Sequence, residues 1–252
     1  VRGENVPRSI TVSDWQSWVA ENTKGDENPK GLKGTSLVRY LNTACLILDF
    51  ADIQPNTARD KRVKIQGKNA YEEVDPPTCK QFLAILDNVP QQRRLALIVM
   101  EQCAMAVGET SQLQWGDVDV AESKFRLRRS TVKGGIRTRA RWVQVPRWLM
   151  DVIENTCPWE DRTPDRPVFG GTPNAYQGVM VRACKAAGIP TYTPHDLRHR
   201  RLSLWHGQGV PAAELAGRAG DTKSSMTLDM YSHVLLDPTE ATEQELRALL
   251  AG

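Results

Sequence analysis

Apolar residues recur at helical spacing along most of the chain and alternate with polar residues in only one region. The first two such segments predict helices over 14–21, with Ser13 as the N-terminal cap, and over 35–51. Later segments show similar spacing and are mostly bounded by proline or glycine; they are 77–89, 90–107, 108–115, 175–188, 194–209, 211–220, 224–236 and 238–252. This pattern predicts a chain rich in α-helix.

Two strands are predicted where apolar and basic residues alternate, over 125–132 and 138–146. The sequence KGGIR between them contains two glycines and predicts the turn of a β-hairpin with a largely cationic surface. The predicted fold class is therefore α-rich, mainly α with one small antiparallel β-sheet. A stretch without clear periodicity, 54–77, ends in two prolines and predicts an interdomain linker.

The composition is that of an ordinary soluble globular protein, with 252 residues, 40% hydrophobic and 25% charged. No apolar run approaches the ~18 residues of a membrane span, and no signal peptide is recognisable. The five cysteines are scattered without a CxxC pair, which predicts free thiols in a reducing compartment. Since the chain begins at Val1 rather than Met, we expect it to be a fragment or a processed product.

Basic residues are concentrated in two blocks, although the net charge is only +3. From Lys124 to Arg147 there are nine Lys or Arg and no Asp or Glu, and from Arg59 to Lys68 five basic residues accompany one acid. Such blocks favour binding of a polyanion; solvated surface stretches are the alternative. The predicted contacts to such a polyanion are Arg59, Lys61, Arg62, Lys64, Arg126, Arg128, Arg129, Arg137, Arg139, Arg141, Arg200 and Arg201.

The segment TPHDLRHRR, residues 193–201, contains His195 and His199 at the i,i+4 spacing of helical metal ligands. Its three arginines disfavour a dication, and Asp196 is shorter than the glutamate of an HExxH site. His195 and Arg198 stand at i,i+3 on one helical face, and the planar guanidinium matches phosphate oxygens. A phosphate site is therefore favoured over a zinc site.

A tyrosine follows this segment in MTLDMYSHV, where Tyr231 lies thirty-three residues after Arg198. Together, PHDLRHRR, GVPAAELAGRAG and MTLDMYSHV resemble the catalytic domain of the tyrosine recombinases, the phage integrase family. Upstream, MAVGETSQLQWGDVD is similar to the family's first catalytic motif, and 35–65 is similar to the last helix and exit linker of its core-binding domain. The implied domains are the C-terminal part of a helical core-binding domain over 1–55, a basic linker over 56–75 and a catalytic domain over 76–252.

The resemblance implies a reaction in which Tyr231 attacks a scissile DNA phosphate, forms a 3′-phosphotyrosyl link and releases a 5′-hydroxyl. Arg198 is implied to bind the non-bridging oxygens, His195 to assist proton transfer and Lys133 to protonate the leaving 5′-oxygen. No metal or nucleotide cofactor is implied, because the covalent link conserves the bond energy. Phosphoryl transfer of this kind depends mainly on positioning and charge stabilisation.

Two positions depart from the family pattern. The family's first catalytic arginine falls at Ala106, three residues before Glu109, and Asp221 stands where the family has His or Trp. Alanine cannot hold a phosphate and aspartate repels one, so we expect impaired cleavage with DNA binding retained. The alternative is that another arginine, such as Arg200 or Arg218, takes over the missing role.

The expected function is site-specific DNA recombination by a protein of phage or bacterial origin that acts in the cytoplasm at the nucleoid. The expected partner is double-stranded DNA with a recombination site, bound by a homotetramer whose C-terminal helices exchange; intramolecular packing of that helix is the alternative. Three other functions are possible: a non-cleaving DNA-binding protein on the same scaffold, a zinc hydrolase built on HDLRH, and a type IB topoisomerase.

Overall fold

The chain divides into two compact units, residues 1–74 and 75–252. The computed structural model describes residues 10–25, 28–65, 75–127, 140–220 and 237–251. The described residues are mainly α-helical with one small antiparallel sheet, which confirms the predicted fold class. The predicted hairpin turn at 133–137 and the predicted helix at 224–236 lie outside the described residues.

Over its described residues, the first unit contains two α-helices, α1 (Val12–Asn22) and α2 (Gly34–Phe50). The predicted cap at Ser13 is wrong, because α1 begins two residues earlier with Thr11 as its N-cap. Thr11 Oγ1 accepts from the Asp14 amide at 3.2 Å, and the Asp14 carboxylate accepts from the Thr11 amide at 2.7 Å. This reciprocal capping box satisfies two backbone groups at the helix end, whereas Ser13 lies inside the helix.

Part of the predicted linker belongs to this helical unit. A single 3₁₀ turn, Thr57–Arg59, follows α2, and its Ala58 is 3% exposed in a small core with Leu48. Trp15 Nε1 donates to the Thr57 hydroxyl at 3.2 Å and ties the turn to α1. The first residues after position 56 are therefore folded rather than extended.

The helices that the structure describes in the second unit are α3 (Cys79–Asp87), α4 (Gln91–Gln102), α5 (Val107–Gln112), α6 (Arg147–Glu154), α7 (Pro173–Ala186), α8 (Pro194–Gly207), α9 (Ala212–Ala219) and α10 (Glu243–Ala251). The core of this unit lies around α4, where Leu97, Ile98, Val99 and Met100 are all fully buried. Helix α4 packs against α5, α8 and α10. Helix α6 was not predicted, although its buried Leu149, Met150 and Ile153 have helical spacing.

The sheet contains three antiparallel strands in the order β1 (Val118–Asp119), β2 (Lys124–Leu127) and β3 (Arg141–Gln144). Phe125 lies opposite Val143, and both face the core; Arg126 lies opposite Trp142, and both are exposed. The predicted strands 125–132 and 138–146 are described in part, and β1 was not predicted. The sheet therefore has an apolar inner face and an outer face that carries arginine and tryptophan.

The described residues include all five cysteines, which are buried and unpaired, as predicted. Burial raises the pKa of the Cys103 thiol to about 12, so this side chain is an inert core group. Within the described ranges, none of the helices combines the length and apolar character needed to cross a membrane.

Candidate active site

Helix α8 carries the predicted catalytic segment, and its first turn is fixed by a capping box. Asp196 Oδ2 accepts from the amide of Thr193 at 2.6 Å and from its hydroxyl at 2.9 Å, and Pro194 occupies the first helical position. His195 therefore lies in the first turn, exposed to solvent, whereas Arg198 lies one turn later and is 7% exposed.

The Arg198 guanidinium bridges two backbone segments that are distant in sequence. Its Nη1 donates to the carbonyl of Ala104 at 3.0 Å, and its Nη2 donates to the carbonyl of Ala219 at 2.6 Å. Its Nη1 also lies 3.6 Å from Glu109 Oε2. The planar fork is thereby held between the turn after α4 and the end of α9.

A second guanidinium, that of Arg141 at the start of β3, reaches the same carboxylate. Arg141 Nη1 donates to Glu109 Oε1 at 2.5 Å and Nη2 donates to Oε2 at 3.0 Å, while Nε donates to the carbonyl of Arg218 at 3.1 Å. The Arg141 side chain is 9% exposed. This residue was predicted to contact DNA from the surface, and the structure instead places it in a nearly buried ion pair.

Ala106 lies beside this pair. It is the N-cap residue of α5, and its amide donates to Glu109 Oε2 at 2.8 Å. One carboxylate therefore joins the Ala106 backbone, Arg141 and Arg198. The position where the family pattern has an arginine thus adjoins two guanidiniums that come from other elements.

The two histidines of α8 are in edge-to-face contact, with 4.2 Å between the ring centroids of His195 and His199. Burial, the neighbouring His195 and Arg198 lower the pKa of His199 to about 4, and Asp196 opposes this shift in part. His199 is therefore neutral near pH 7. Among the described residues, no group of three or more His, Cys, Asp or Glu side chains is placed to hold a metal ion.

Arg200 and Arg201 do not lie on the surface, contrary to their predicted role as DNA contacts. They are 2% and 4% exposed and share the buried carboxylate of Glu101. Burial alone would lower the pKa of Arg201, but Glu101 and Glu240 outweigh burial and raise it. Arg201 therefore stays charged in the interior, and both side chains are directed at carboxylates of the protein and not at the surface.

Arg200 and Arg201 instead bind the residues that lie just before α10. Arg200 Nη2 donates to the carbonyl of Thr239 at 2.6 Å, and Arg201 Nη1 pairs with Glu240 Oε2 at 2.6 Å. Asp237 Oδ2 accepts from the Cys79 amide at 2.7 Å. Arg198 and Arg141 bond the backbone just before residue 221, so arginine contacts flank the segment 221–236 on both sides.

Three predicted catalytic residues, Tyr231, Lys133 and Asp221, lie outside the described residues, as do Arg128, Arg129, Arg137 and Arg139. The described residues on either side of these two segments show where each segment joins the fold. Residues 128–139 connect β2 to β3 and end two residues before Arg141, and residues 221–236 begin next to Gly220. Both segments therefore join the described chain beside the Arg141–Glu109–Arg198 cluster.

The remaining predicted DNA contacts that the structure describes are all exposed: Arg59, Lys61, Arg62, Lys64 and Arg126. Arg59 pairs with Asp49, and Arg62 pairs with Asp60. Ion pairs this exposed contribute little stability and can rearrange when a phosphate approaches. On the outer face of the sheet, Trp142 is 57% exposed opposite Arg126, a candidate contact that the charge pattern alone did not indicate.

Comparison with known proteins identifies the class. The family model described as the phage integrase family matches residues 73–236. This match covers more than half of the chain, so the chain belongs to the phage integrase family, whose members are tyrosine recombinases. That membership also disfavours the zinc-hydrolase hypothesis.

The relatives found include the prophage phiRv2 integrases of two Mycobacterium tuberculosis strains, CDC 1551 / Oshkosh and H37Rv. Each is 25% identical over 268 residues, with 97% of this chain and 67% of the relative covered. Among solved structures, the Tn1549 transposon integrase matches with a TM-score of 0.70 at 18% identity, over 99% of this chain and 87% of that chain. XerH recombinase matches with a TM-score of 0.63 at 16% identity, over 90% and 68%. At these identities the structural matches show a shared fold.

Proposed function

We propose that this chain is a site-specific DNA recombinase that cleaves and rejoins DNA through a 3′-phosphotyrosyl intermediate. The observation that carries the proposal is the convergence of Arg198, Arg141 and Glu109 at the point where the tyrosine segment begins. The planar N–H forks of the two guanidiniums match the non-bridging oxygens of a phosphodiester. The exposed imidazole of His195 lies on the same helix, one turn before Arg198.

The proposed cleavage step conserves atoms and charge. The Tyr231 hydroxyl oxygen bonds to phosphorus as the bond between phosphorus and the 5′-oxygen breaks. His195 assists removal of the phenolic proton, and Lys133 donates a proton to the departing 5′-oxygen. Arg198 binds the non-bridging oxygens as their charge develops. Rejoining runs the same step in reverse with a 5′-hydroxyl as nucleophile, and it requires no external energy source.

The proposed partner is double-stranded DNA. The similar Tn1549 integrase was solved in complex with transposon right end DNA, and XerH was solved bound to its difH substrate. In this chain the exposed Arg59, Lys61, Arg62 and Lys64 of one unit and Arg126 of the other supply phosphate contacts. Such contacts position DNA and give salt-dependent affinity without defining the sequence that is read.

Assembly into a homotetramer on DNA, with exchange of the C-terminal helix, is part of the proposal. In the single chain, α10 packs on its own unit: Leu246 is fully buried, and Arg94 Nη1 donates to the carbonyl of Leu249 at 2.6 Å. The same apolar face and carbonyl groups can be offered to a neighbouring protomer. Mass measurement with and without DNA tests this assembly.

A second candidate function is DNA binding without cleavage. It is favoured by Ala106 and Asp221, which depart from the family pattern at two catalytic positions. The proposed recombinase is expected to cleave more slowly than a relative with the complete pattern. The two functions share the same basic surfaces, so DNA affinity alone cannot separate them.

Covalent attachment to DNA separates the two functions. The purified chain and Tyr231→Phe are incubated with a labelled, nicked duplex from the junctions of the genetic element that carries the gene. A labelled adduct that survives denaturing electrophoresis and is absent with Tyr231→Phe supports the recombinase. Tight binding with no adduct supports the non-cleaving protein, and absence of binding contradicts both candidates.

A further inference from the structure

The Arg141 guanidinium lies close to the backbone of Ala106, where the family pattern has an arginine. Its guanidinium bonds both oxygens of Glu109, and the Oε2 atom accepts from the Ala106 amide and lies 3.6 Å from Arg198 Nη1. An arginine is therefore present beside Ala106 and Arg198, although it comes from β3 and not from the turn before α5.

The backbone near Arg141 is shaped to admit a guanidinium. Gly220 ends α9 with φ +74, and a Cβ added at this glycine would lie 2.9 Å from Arg141 Cζ. Only glycine allows so close an approach together with this backbone conformation. The Nε bond to the Arg218 carbonyl fixes the orientation of the group. Arg141 is thus packed directly under the chain that leads into residues 221–236.

Arg141 retains hydrogen-bonding capacity in this position. Its bonds to Glu109 and Arg218 use three of the five guanidinium N–H groups, one on Nε and one on each Nη. Within the described ranges, one N–H on each Nη is left for an acceptor. These two N–H groups are the donors that Arg141 can offer to an anion.

The other candidate arginines are less suitable. Arg200 points into the interior, where it lies 3.4 Å from Glu101 and bonds the Thr239 carbonyl. Arg218 is exposed, pairs with Glu214 at 2.7 Å and stacks over Trp205. Neither of them contacts Glu109 in the described structure. The two replacements considered from the sequence are therefore less well placed than Arg141.

We propose that Arg141 is a second phosphate-binding residue of the active site and supplies the guanidinium that position 106 lacks. This inference rests on the proposed function. The scissile phosphate is bound by Arg198 and Arg141 together, and Glu109 holds both guanidiniums in place. The site therefore has two guanidiniums, as in the family pattern, but the second one comes from β3 and not from the turn before α5.

Cleavage by Arg141→Ala tests the inference. The matched control is Arg166→Ala, which removes the same charge from an exposed arginine that lies 3.7 Å from Asp161. Two nicked duplexes are compared, one with an ordinary scissile phosphate and one in which a non-bridging oxygen is replaced by methyl. Because the methylphosphonate carries no charge, cleaving it depends less on a neutralising cation.

The expected result has three parts. Arg141→Ala lowers the adduct rate on the ordinary phosphate by at least ~100-fold, as for loss of one preorganised donor. The loss is much smaller on the methylphosphonate, and adding Ala106→Arg to Arg141→Ala restores at least about a tenth of the parent rate. Two outcomes overturn the inference: equal rates for Arg141→Ala and Arg166→Ala, or equal losses on both duplexes, which would indicate a structural role.

The single variant Ala106→Arg separates failure of this inference from failure of the proposed function. If the parent chain forms no adduct and Ala106→Arg does, Arg141 does not replace the missing arginine, although the recombinase scaffold is competent. If neither protein forms an adduct on either duplex, both the inference and the proposed cleavage activity are wrong.

Discussion

Arg198 donates a 2.6 Å hydrogen bond from Nη2 to the backbone carbonyl of Ala219, the last residue of α9. The same guanidinium bonds the carbonyl of Ala104 through Nη1. One side chain thus fixes the position of the chain that leads to Tyr231 and also provides the charge that the proposed reaction needs. Substitutions of Arg198 are therefore expected to affect both stability and the proposed reaction.

Arg198→Lys is expected to impair both properties although it keeps the charge. A lysine ammonium lacks the planar fork, so one of the two buried carbonyls loses its donor, which costs about 1–3 kcal/mol. Adduct formation should fall at least ~100-fold. Urea denaturation and the adduct assay measure the two effects. Arg166→Lys is the control, and a denaturation midpoint for Arg198→Lys equal to that of the parent would contradict the bridging role.

The interior charges around Glu101 give a second prediction. Glu101→Gln removes the carboxylate shared by Arg200 and Arg201, and it should destabilise the chain by about 3–5 kcal/mol, as expected when a buried pair loses one partner. Arg201→Met should cost less, because Arg200 still compensates Glu101 and the methionine stem fills the space.

DNA affinity tests whether Arg201 is an interior residue. If Arg201 is an interior residue, Arg201→Met binds DNA with parent affinity under conditions where it is folded. A large loss of affinity without a change in the denaturation midpoint would instead restore the surface role predicted from the sequence.

The local part of the fold could be predicted from the sequence because helix formation leaves a local pattern. The spacing of apolar residues, the proline at 194 and the glycine at 220 correctly indicated α8 and α9. Short elements were missed or misplaced. Strand β1 has only two residues, too few to leave a pattern in the sequence. The N-cap of α1 is Thr11 and not Ser13, because Thr11 forms the capping box with Asp14.

The burial of the arginines could not be predicted from the sequence. Arg141 and Glu109 are 32 residues apart, and Arg201 and Glu101 are 100 residues apart. A basic residue without a nearby acid has the same local pattern whether it faces DNA or a distant carboxylate. For that reason the basic block from Lys124 to Arg147 correctly indicated Arg126 as exposed and missed the ion pair of Arg141.

Gly220→Ala is expected to displace Arg141. Alanine at φ +74 is strained by about 1 kcal/mol, and its Cβ would contact the guanidinium. The adduct rate should fall about as far as in Arg141→Ala. Gly188→Ala is the matched control, since Gly188 has φ +65 and no neighbouring atom within 4 Å of an added Cβ. Equal cleavage by both glycine variants would mean that the close approach to Arg141 has no functional role.

The outer face of the sheet should contribute to DNA binding through two different forces. Arg126→Ala is expected to lower affinity and to reduce the slope of log affinity against log salt concentration by about 1, the value for one lost phosphate contact. Trp142→Ala should lower affinity with an unchanged slope, because an aromatic ring contributes contact area without charge.

Fluorescence anisotropy over a series of salt concentrations measures both quantities. Trp159→Ala, at another exposed tryptophan, controls for the loss of a surface ring. Parent affinity and slope in both Arg126→Ala and Trp142→Ala would place the DNA interface elsewhere.

His199 should make the stability of the chain depend on pH. Its folded pKa of about 4 lies below the ordinary value of 6.5, so the unfolded chain binds more protons between these values. The contribution is fully present above pH 6.5 and decreases as the pH falls towards 4, where the loss is on the order of 2–3 kcal/mol. In His199→Gln the side chain cannot titrate, so this part of the pH dependence disappears. Urea denaturation of both proteins between pH 4 and pH 7.5 measures it, and the difference at pH 7.5 isolates the change in packing. Carboxylates titrate alike in both proteins and cancel in the comparison, so parallel stability curves would show that His199 is not held neutral in the fold.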